Sequence, residues 1–210
     1  RHSIGLYVNR EINAVGMDLS LEDMQTARSR IKDFSISDTN ESSCFFGAGS
    51  IQHLPFKDNL YDAVICSEVL EHLESLDSAV SEIVRVLKPG GVLAVSVPRY
   101  LPELICWKLS PDYSKTPGGH VRIFKHKELR KLIQKESVSY QSFHWAHALH
   151  SPYWWLKCIF WKNEEEHWLV KKYHEFLIWD LMKNPLITRF LEMVLKPFIG
   201  KSLVMYFVKD

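Results

Sequence analysis

Cysteine is sparse: four in 210 residues, at Cys44, Cys66, Cys106 and Cys158, with neither a C-x-x-C pair nor a dense cluster among them. A zinc ribbon or a disulfide scaffold is therefore not expected, and reduced thiols in a cytoplasmic setting are. Net charge is nearly absent, 26 Lys and Arg against 25 Asp and Glu leaving +1. The chain thus lacks the positive field on which nonspecific nucleic-acid binding depends, and no nucleic-acid partner is expected. No apolar run approaches the roughly 18 residues of a membrane-spanning helix, and no charged-then-apolar leader opens the chain. Internal repeats, low-complexity tracts and linkers are missing too, which favours one domain over residues 1–210.

The remainder is the composition of a chain that folds: 46% hydrophobic and 24% charged residues, ordinary values for a globular protein. Up to about Pro98 short apolar runs alternate with amphipathic stretches, whereas all seven Trp lie beyond position 100. Asn13 to Asp18 is a short apolar run ending in an acid. Ser20 then opens S-x-x-D with Asp23, a capping-box-like helix start. Leu21, Met24, Ala27, Ile31 and Phe34 follow at steps that put them on one buried face, and the polar run Ser35 to Ser43 ends that helix. Cys44 to Gly47 reads as a strand, and Tyr61 to Cys66 as a strand of a sheet covered on both faces. Leu76, Ala79, Val80, Ile83, Val84 and Leu87 mark another helix, stopped by Lys88-Pro89-Gly90-Gly91, with Val92 to Val97 as the next strand. A helix is expected at Lys125 to Lys135, a strand near Val138 to Phe143, helical segments from about Trp154 to Leu195, and a last strand at Ser202 to Val208. Strands separated by helices imply an α/β fold with a Rossmann-like, doubly wound, mostly parallel sheet.

Three blocks carry a family resemblance. LPF at Leu54 to Phe56, YDAVICSEVLEHL from Tyr61 to Leu73 and RVLKPGG from Arg85 to Gly91 stand in the order and spacing found in class I S-adenosylmethionine-dependent methyltransferases. The chain resembles their type 11, small-molecule subgroup over roughly Arg1 to Phe143 plus the final strand. The resemblance implies S-adenosyl-L-methionine as cofactor, bound over the carboxyl ends of the strands, and an antiparallel pairing of the last two strands. The family's first strand ends in a G-x-G-x-G loop, which these residues do not contain. An acid follows such a loop by about 20 residues. Asp18 takes that place, which puts the loop just before Arg1 and makes Arg1 to Arg10 the helix after it. The single domain is accordingly expected to lack its first strand and glycine-rich loop, within a natural protein longer at its N-terminus. Residues 151–201, which match no family motif, are expected to form a helical insertion or lid before the antiparallel last strand, with Glu164 to Glu166 placed favourably at a helix start.

The resemblance assigns Asp18 and Leu19 to cofactor binding, Asp18 accepting from the ribose hydroxyls; the plainer reading is a turn- or helix-capping acid. Gly49, Ser50 and Ile51 stand where the family has Gly-Asp-Ala, so Ser50 and Ile51 would border the adenine, with weaker bonding than a carboxylate gives, or Ser50 only shapes a turn. Ser67 and Glu68 would lie near the methionine end of the cofactor, where Glu68 could bond its ammonium group. His72 is a candidate general base, because imidazole titrates near pH 6.5; packing or capping is the alternative. In GGHVR, His120 is a second such candidate and Arg122 suits a substrate carboxylate or phosphate, or a nearby acid. Trp154 and Trp155 could roof an acceptor pocket, touch a membrane surface peripherally, or pack on the core. His144, His147 and His150 recur at three-residue steps that alternate faces on a strand and match no usual zinc spacing, so no metal is expected.

The expected function is S-adenosylmethionine-dependent methyl transfer to a small-molecule or lipid acceptor, lipophilic or aromatic in character. The acceptor would sit in line with the sulfur–methyl bond at about 3 Å, in a pocket that excludes water. The alternative is a non-catalytic methyltransferase-like partner subunit, for which Ser50 and the missing loop speak. Nothing in the sequence bears on oligomeric state.

Overall fold

A computed structural model describes residues 2–10, 12–32, 34, 42–116, 118–163 and 167–210. Most of the polar run Ser35 to Ser43, and all of Glu164 to Glu166, lie outside the described residues. The chain divides into two compact units, residues 1–57 and 58–210.

The first unit runs α1 (His2–Arg10), β1 (Ala14–Asp18), α2 (Leu21–Ile31) and β2 (Cys44–Ala48). β1 and β2 pair in parallel, from Ala14 opposite Cys44 to Asp18 opposite Ala48. The S-x-x-D start is formed as expected: Ser20 Oγ accepts the Asp23 N–H at 3.1 Å, satisfying one of the open amides of the first turn. The expected buried face of α2 is not found. None of its residues is buried, Leu21 is 61% exposed and Phe34 beyond its end 47% exposed. Within this unit α2 has only a two-stranded sheet to pack on, too narrow to cover a helix face.

In the second unit, β3 (Tyr61–Ser67) leads through a 3₁₀ turn at Leu70–His72 to α3 (Asp77–Arg85), and β4 (Leu87–Pro98) to α4 (Tyr100–Leu109). Then come α5 (His126–Ile133), β5 (Val138–Ala146), three helices α6 (His150–Ile159), α7 (Trp168–Lys183) and α8 (Leu186–Ile199), and β6 (Ser202–Lys209). The sheet order is β3-β4-β6-β5. β3 and β4 are parallel, while β6 runs antiparallel to both β4 and β5. The antiparallel last strand and the helical insertion before it are therefore present. Leu93, Val95 and Val97 of β4, Met205 and Phe207 of β6, and Leu129 and Ile133 of α5 are fully buried, each contributing about 1.5–3 kcal/mol by leaving water.

Two local expectations change. Lys88-Pro89-Gly90-Gly91 does not stop a helix, since α3 has already ended at Arg85. It forms an excursion inside β4: Tyr61 faces Leu87 and Ala63 already faces Val92, and Gly90 takes φ +76°, which a residue without Cβ adopts freely. β3 is not covered on both faces either; Ile65 is 45% exposed, because β3 is the edge of its sheet, paired only to β4 among the described residues. The C-terminal turn of α3 is closed by Lys209 at the end of β6, whose Nζ donates to Val84 O at 2.7 Å and Leu87 O at 2.8 Å, a cation at the negative end of a helix.

Candidate functional site

Taken by itself, the first unit places its expected cofactor residues together at the carboxyl ends of β1 and β2. Gly49 N–H donates to Asp18 O at 2.8 Å, so the Gly49-Ser50-Ile51 turn lies directly beside Asp18. The Asp18 carboxylate is exposed and accepts the Ser20 N–H through Oδ1 at 3.0 Å, a side-chain turn just ahead of α2, whose cap is Ser20 itself. One bond leaves most of the carboxylate's acceptor capacity open. Ser50 Oγ accepts the Gln52 N–H at 3.2 Å, the turn-shaping role, with its hydroxyl proton still available. Leu19 is 73% exposed next to both.

In the second unit, β3 ends in a chain of hydroxyls and acid. Ser67 Oγ lies 3.0 Å from Ser96 Oγ, which donates to Glu68 Oε1 at 3.0 Å. Glu68 takes φ +52°, a left-handed conformation that costs a non-glycine residue about 1–3 kcal/mol and recurs at functional sites. That reversal turns the strand into the 3₁₀ turn carrying Glu71 and His72.

Glu71 is completely buried, and neither of its carboxylate oxygens has a hydrogen-bond partner. Burial, and after it the charge of Glu68, pushes its pKa up to about 8. His72 Nδ1 lies 3.1 Å from Gly119 O and its Nε2 3.9 Å from Glu71 Oε1. The turn is stitched to the 119–122 segment by Val121 N–H to Glu71 O at 2.9 Å. That stitch brings in His120, whose ring centroid is 4.9 Å from that of His72. His120 Nδ1 bonds Glu103 Oε1 at 2.6 Å, and Glu103, on α4, is 1% exposed. Burial pushes the Glu103 carboxyl up, but the His120 bond and charge, Lys201 and Tyr113 outweigh it, leaving its pKa below the ordinary value. Trp107 Nε1 also donates to Glu103, at 3.2 Å.

Residues 3–95 match the model of a family described as a methyltransferase domain. The sterol 24-C-methyltransferase of Schizosaccharomyces pombe is 34% identical over 106 residues, covering 50% of this chain and 24% of that protein. Over these residues the chain is similar to the class I S-adenosylmethionine-dependent methyltransferases. The demethylmenaquinone methyltransferase of Lactiplantibacillus plantarum is 34% identical over 79 residues, 38% of this chain and 32% of that protein. The crystal structure of the 4+2 cyclase SpnF shares the fold, with a TM-score of 0.57 at 15% identity, over 95% of this chain and 66% of that one. The chain spans about a quarter to a third of the length of the curated relatives it matches.

Other sequence candidates fall in different places. Arg122 Nη2 donates to Leu73 O at 2.5 Å and Glu74 O at 2.7 Å, so its guanidinium holds the loop after the 3₁₀ turn. Trp154 lies 6.0 Å from Tyr113 between ring centroids, and Trp161 5.5 Å. Trp155 Nε1 donates to Pro102 O at 3.1 Å, fixing α6 on α4. Neither Trp154 nor Trp155 borders the half-open cavity of about 300 Å³ that Arg99, Tyr100, Phe124, Phe143 and Trp145 line. His144 stacks on Tyr206, with ring centroids 5.7 Å apart, and the rings of His147 and His150 meet edge to face at 5.3 Å. Among the described residues the three do not form a group of metal-ligating atoms. Glu71, Glu103 and Tyr113 received no role from sequence; the one visible signal was an acid, Glu103, inside the apolar run Leu101 to Trp107.

Proposed function

We propose that this domain transfers the methyl group of S-adenosyl-L-methionine to a small acceptor of lipophilic or aromatic character. The observation that carries the proposal is the adjacency of the exposed Asp18 carboxylate and the Gly49-Ser50-Ile51 turn, joined by the Gly49 to Asp18 backbone bond. An acceptor-only acid suits a ribose diol, and a hydroxyl beside it suits the adenine edge. Leu19 and Ile51 offer apolar surface to the base. In the second unit Glu68 is the candidate partner for the cofactor's ammonium group. When bound, the cofactor supplies an electrophilic methyl group on a sulfonium; the protein's part is to bind, orient and exclude water.

Two features support the acceptor class. The relatives named for sterol and demethylmenaquinone methylation act, by those names, on lipophilic molecules. The helical segment before β6 adds Trp154 and Trp161, each in ring contact with Tyr113, and α6 packs against α4, the helix that leaves the carboxyl end of β4. We assign it the role of a lid that selects the acceptor. Its helices also leave Leu186 80%, Ile187 65% and Phe198 72% exposed, near Lys183 and Arg189. Such a face suits peripheral contact with an anionic membrane surface; among the described residues no helix is long and apolar enough to cross a membrane.

Calorimetric titration of S-adenosylhomocysteine into the full-length protein tests the cofactor site with Asp18→Asn. The amide keeps the oxygen that accepts the Ser20 N–H but loses the charge and the second acceptor. Two charge-assisted bonds at about 1.5–3 kcal/mol each predict at least tenfold weaker binding, and unchanged affinity would overturn the assignment. Retained binding without turnover of any apolar acceptor would favour the non-catalytic alternative.

A further inference from the structure

Both histidines at the carboxyl end of β3 have one ring nitrogen committed and the other spare. His72 Nδ1 faces Gly119 O at 3.1 Å. A carbonyl only accepts, so that nitrogen carries the proton and Nε2 holds a lone pair. His120 Nδ1 faces the Glu103 carboxylate at 2.6 Å, which fixes the same tautomer there. A carboxylate or a backbone carbonyl on the far nitrogen is how proteins orient histidines that bind metal through the near one.

Beside them stands Glu71, fully buried, with both oxygens lacking any hydrogen-bond partner. A buried carboxylate so placed is costly unless a cation or donors meet it. No lysine or arginine contacts it among the described ion pairs; its one neighbour in them is His72 Nε2 at 3.9 Å. One donor atom from each of Glu71, His72 and His120 lies within 4.8 Å of the other two. Ligands on a tetrahedral ion with bonds of about 2.1 Å stand about 3.4 Å apart. Closing that gap asks for small side-chain rotations, and His72, whose side chain is 36% exposed, has room to make them. Its exposure also leaves one side of the group open to solvent.

We propose that Glu71, His72 and His120 bind a single divalent first-row transition-metal ion, with Glu103 as the positioning residue behind His120. Two imidazoles and one carboxylate select such ions over magnesium or calcium, which prefer oxygen alone. The open side leaves coordination positions for water or for an oxygen of the acceptor. In that last respect the inference deepens the methyl-transfer reading; binding of the ion does not depend on it.

The test uses the full chain stripped of metal by chelation. Titration with Co²⁺, followed by its visible ligand-field absorption and by metal analysis after desalting, is expected to saturate at one ion per chain, and Zn²⁺ is expected to displace it and raise the thermal midpoint. Glu71→Gln and His120→Asn are expected to abolish the stoichiometric band, and Glu103→Gln to weaken affinity about 10- to 100-fold. Far-ultraviolet circular dichroism of the metal-free variants checks that they fold; Glu71→Gln preserves the side-chain shape and removes a buried acid, so it keeps the test open if His120→Asn does not fold. Absence of saturable uptake, or uptake unchanged in Glu71→Gln and Glu103→Gln but lost in a His147→Gln, His150→Gln double variant, would overturn the proposal. Because none of these readouts involves the methyl donor, their failure is distinguishable from a failure of the S-adenosylhomocysteine titration.

Discussion

Glu192→Ala should loosen the helical segment between β5 and β6. From α8, the Glu192 carboxylate accepts the N–H of Ala148 at 2.8 Å and of Leu149 at 3.1 Å, the two residues just before α6. Those amides are the open donors of a helix start, where a negative charge is favoured, and both residues are buried, Ala148 at 0% and Leu149 at 7% exposure. Water cannot readily replace the lost acceptor. Charge-assisted bonds are worth about 1.5–3 kcal/mol each; Glu192 is itself half-buried, so two of them sum to about 3 kcal/mol rather than the upper limit. For a chain of this size that lowers the thermal midpoint by about 6–12 °C. Glu192→Gln keeps one oxygen acceptor and should lose less than half as much. Urea unfolding gives the energy, and hydrogen exchange shows where it acts: the amides of α6 and α8 should lose protection before those of β4 and β6. A loss under about 0.5 kcal/mol for Glu192→Ala, with exchange unchanged in α6, would mean that these bonds do not hold the segment in place.

Two further outcomes follow from the side-chain environments. Burial pushes the Cys66 thiol up to about 12, so its thiolate fraction at pH 8 is on the order of one in 10,000; peptide mapping after iodoacetamide treatment should find Cys44 labelled first and Cys66, Cys106 and Cys158 only after unfolding, and equal rates at Cys66 would contradict its burial. The pKa of His126 is held below 6.5 by burial, then by the charges of Arg130 and Lys127. The unfolded chain therefore takes up this proton first as pH falls. The stability cost sets in below about pH 6.5 and levels off below the folded value; an NMR titration midpoint at or above 6.5, or one that does not rise in Arg130→Gln, would refute that account.

Signals written over a few residues were legible in the sequence. Ser20 and Asp23 announce the start of α2, and the apolar run ending in Asp18 is found as β1. Apart from α4, the helices and strands from Leu76 to Val208 fall close to their expected places because their apolar periodicity matches the faces that are buried, as Ala79, Val80, Ile83 and Val84 show on α3. α4 was not foreseen: Pro102 and the nearly unbroken apolar run Leu101 to Trp107 mask its helical period, although proline is well tolerated in a first helical turn. Residues whose role depends on long-range approach were illegible. Glu103 and His120 are 17 positions apart and Arg122 and Leu73 are 49 apart, and no local pattern records either approach. α2 misled for the same reason: periodicity reports which face could be buried, and the width of the sheet available decides whether it is.

The stretch from Ser67 to His72 contributes residues to both proposed sites. β3 brings Ser67 into register with Ser96, which aligns the hydroxyls that reach Glu68. The positive φ at Glu68 then reverses the chain so that Leu70 and Glu71 point inward, both at 0% exposure, and His72 points toward solvent. Leu70 repays part of the backbone strain by burying a full apolar side chain, about 1.5–3 kcal/mol, against about 1–3 for the left-handed residue. No comparable gain attaches to Glu71. An acid buried without donors destabilises the fold, so the turn is better explained by what its carboxylate and the two oriented imidazoles can hold than by the stability of the turn itself.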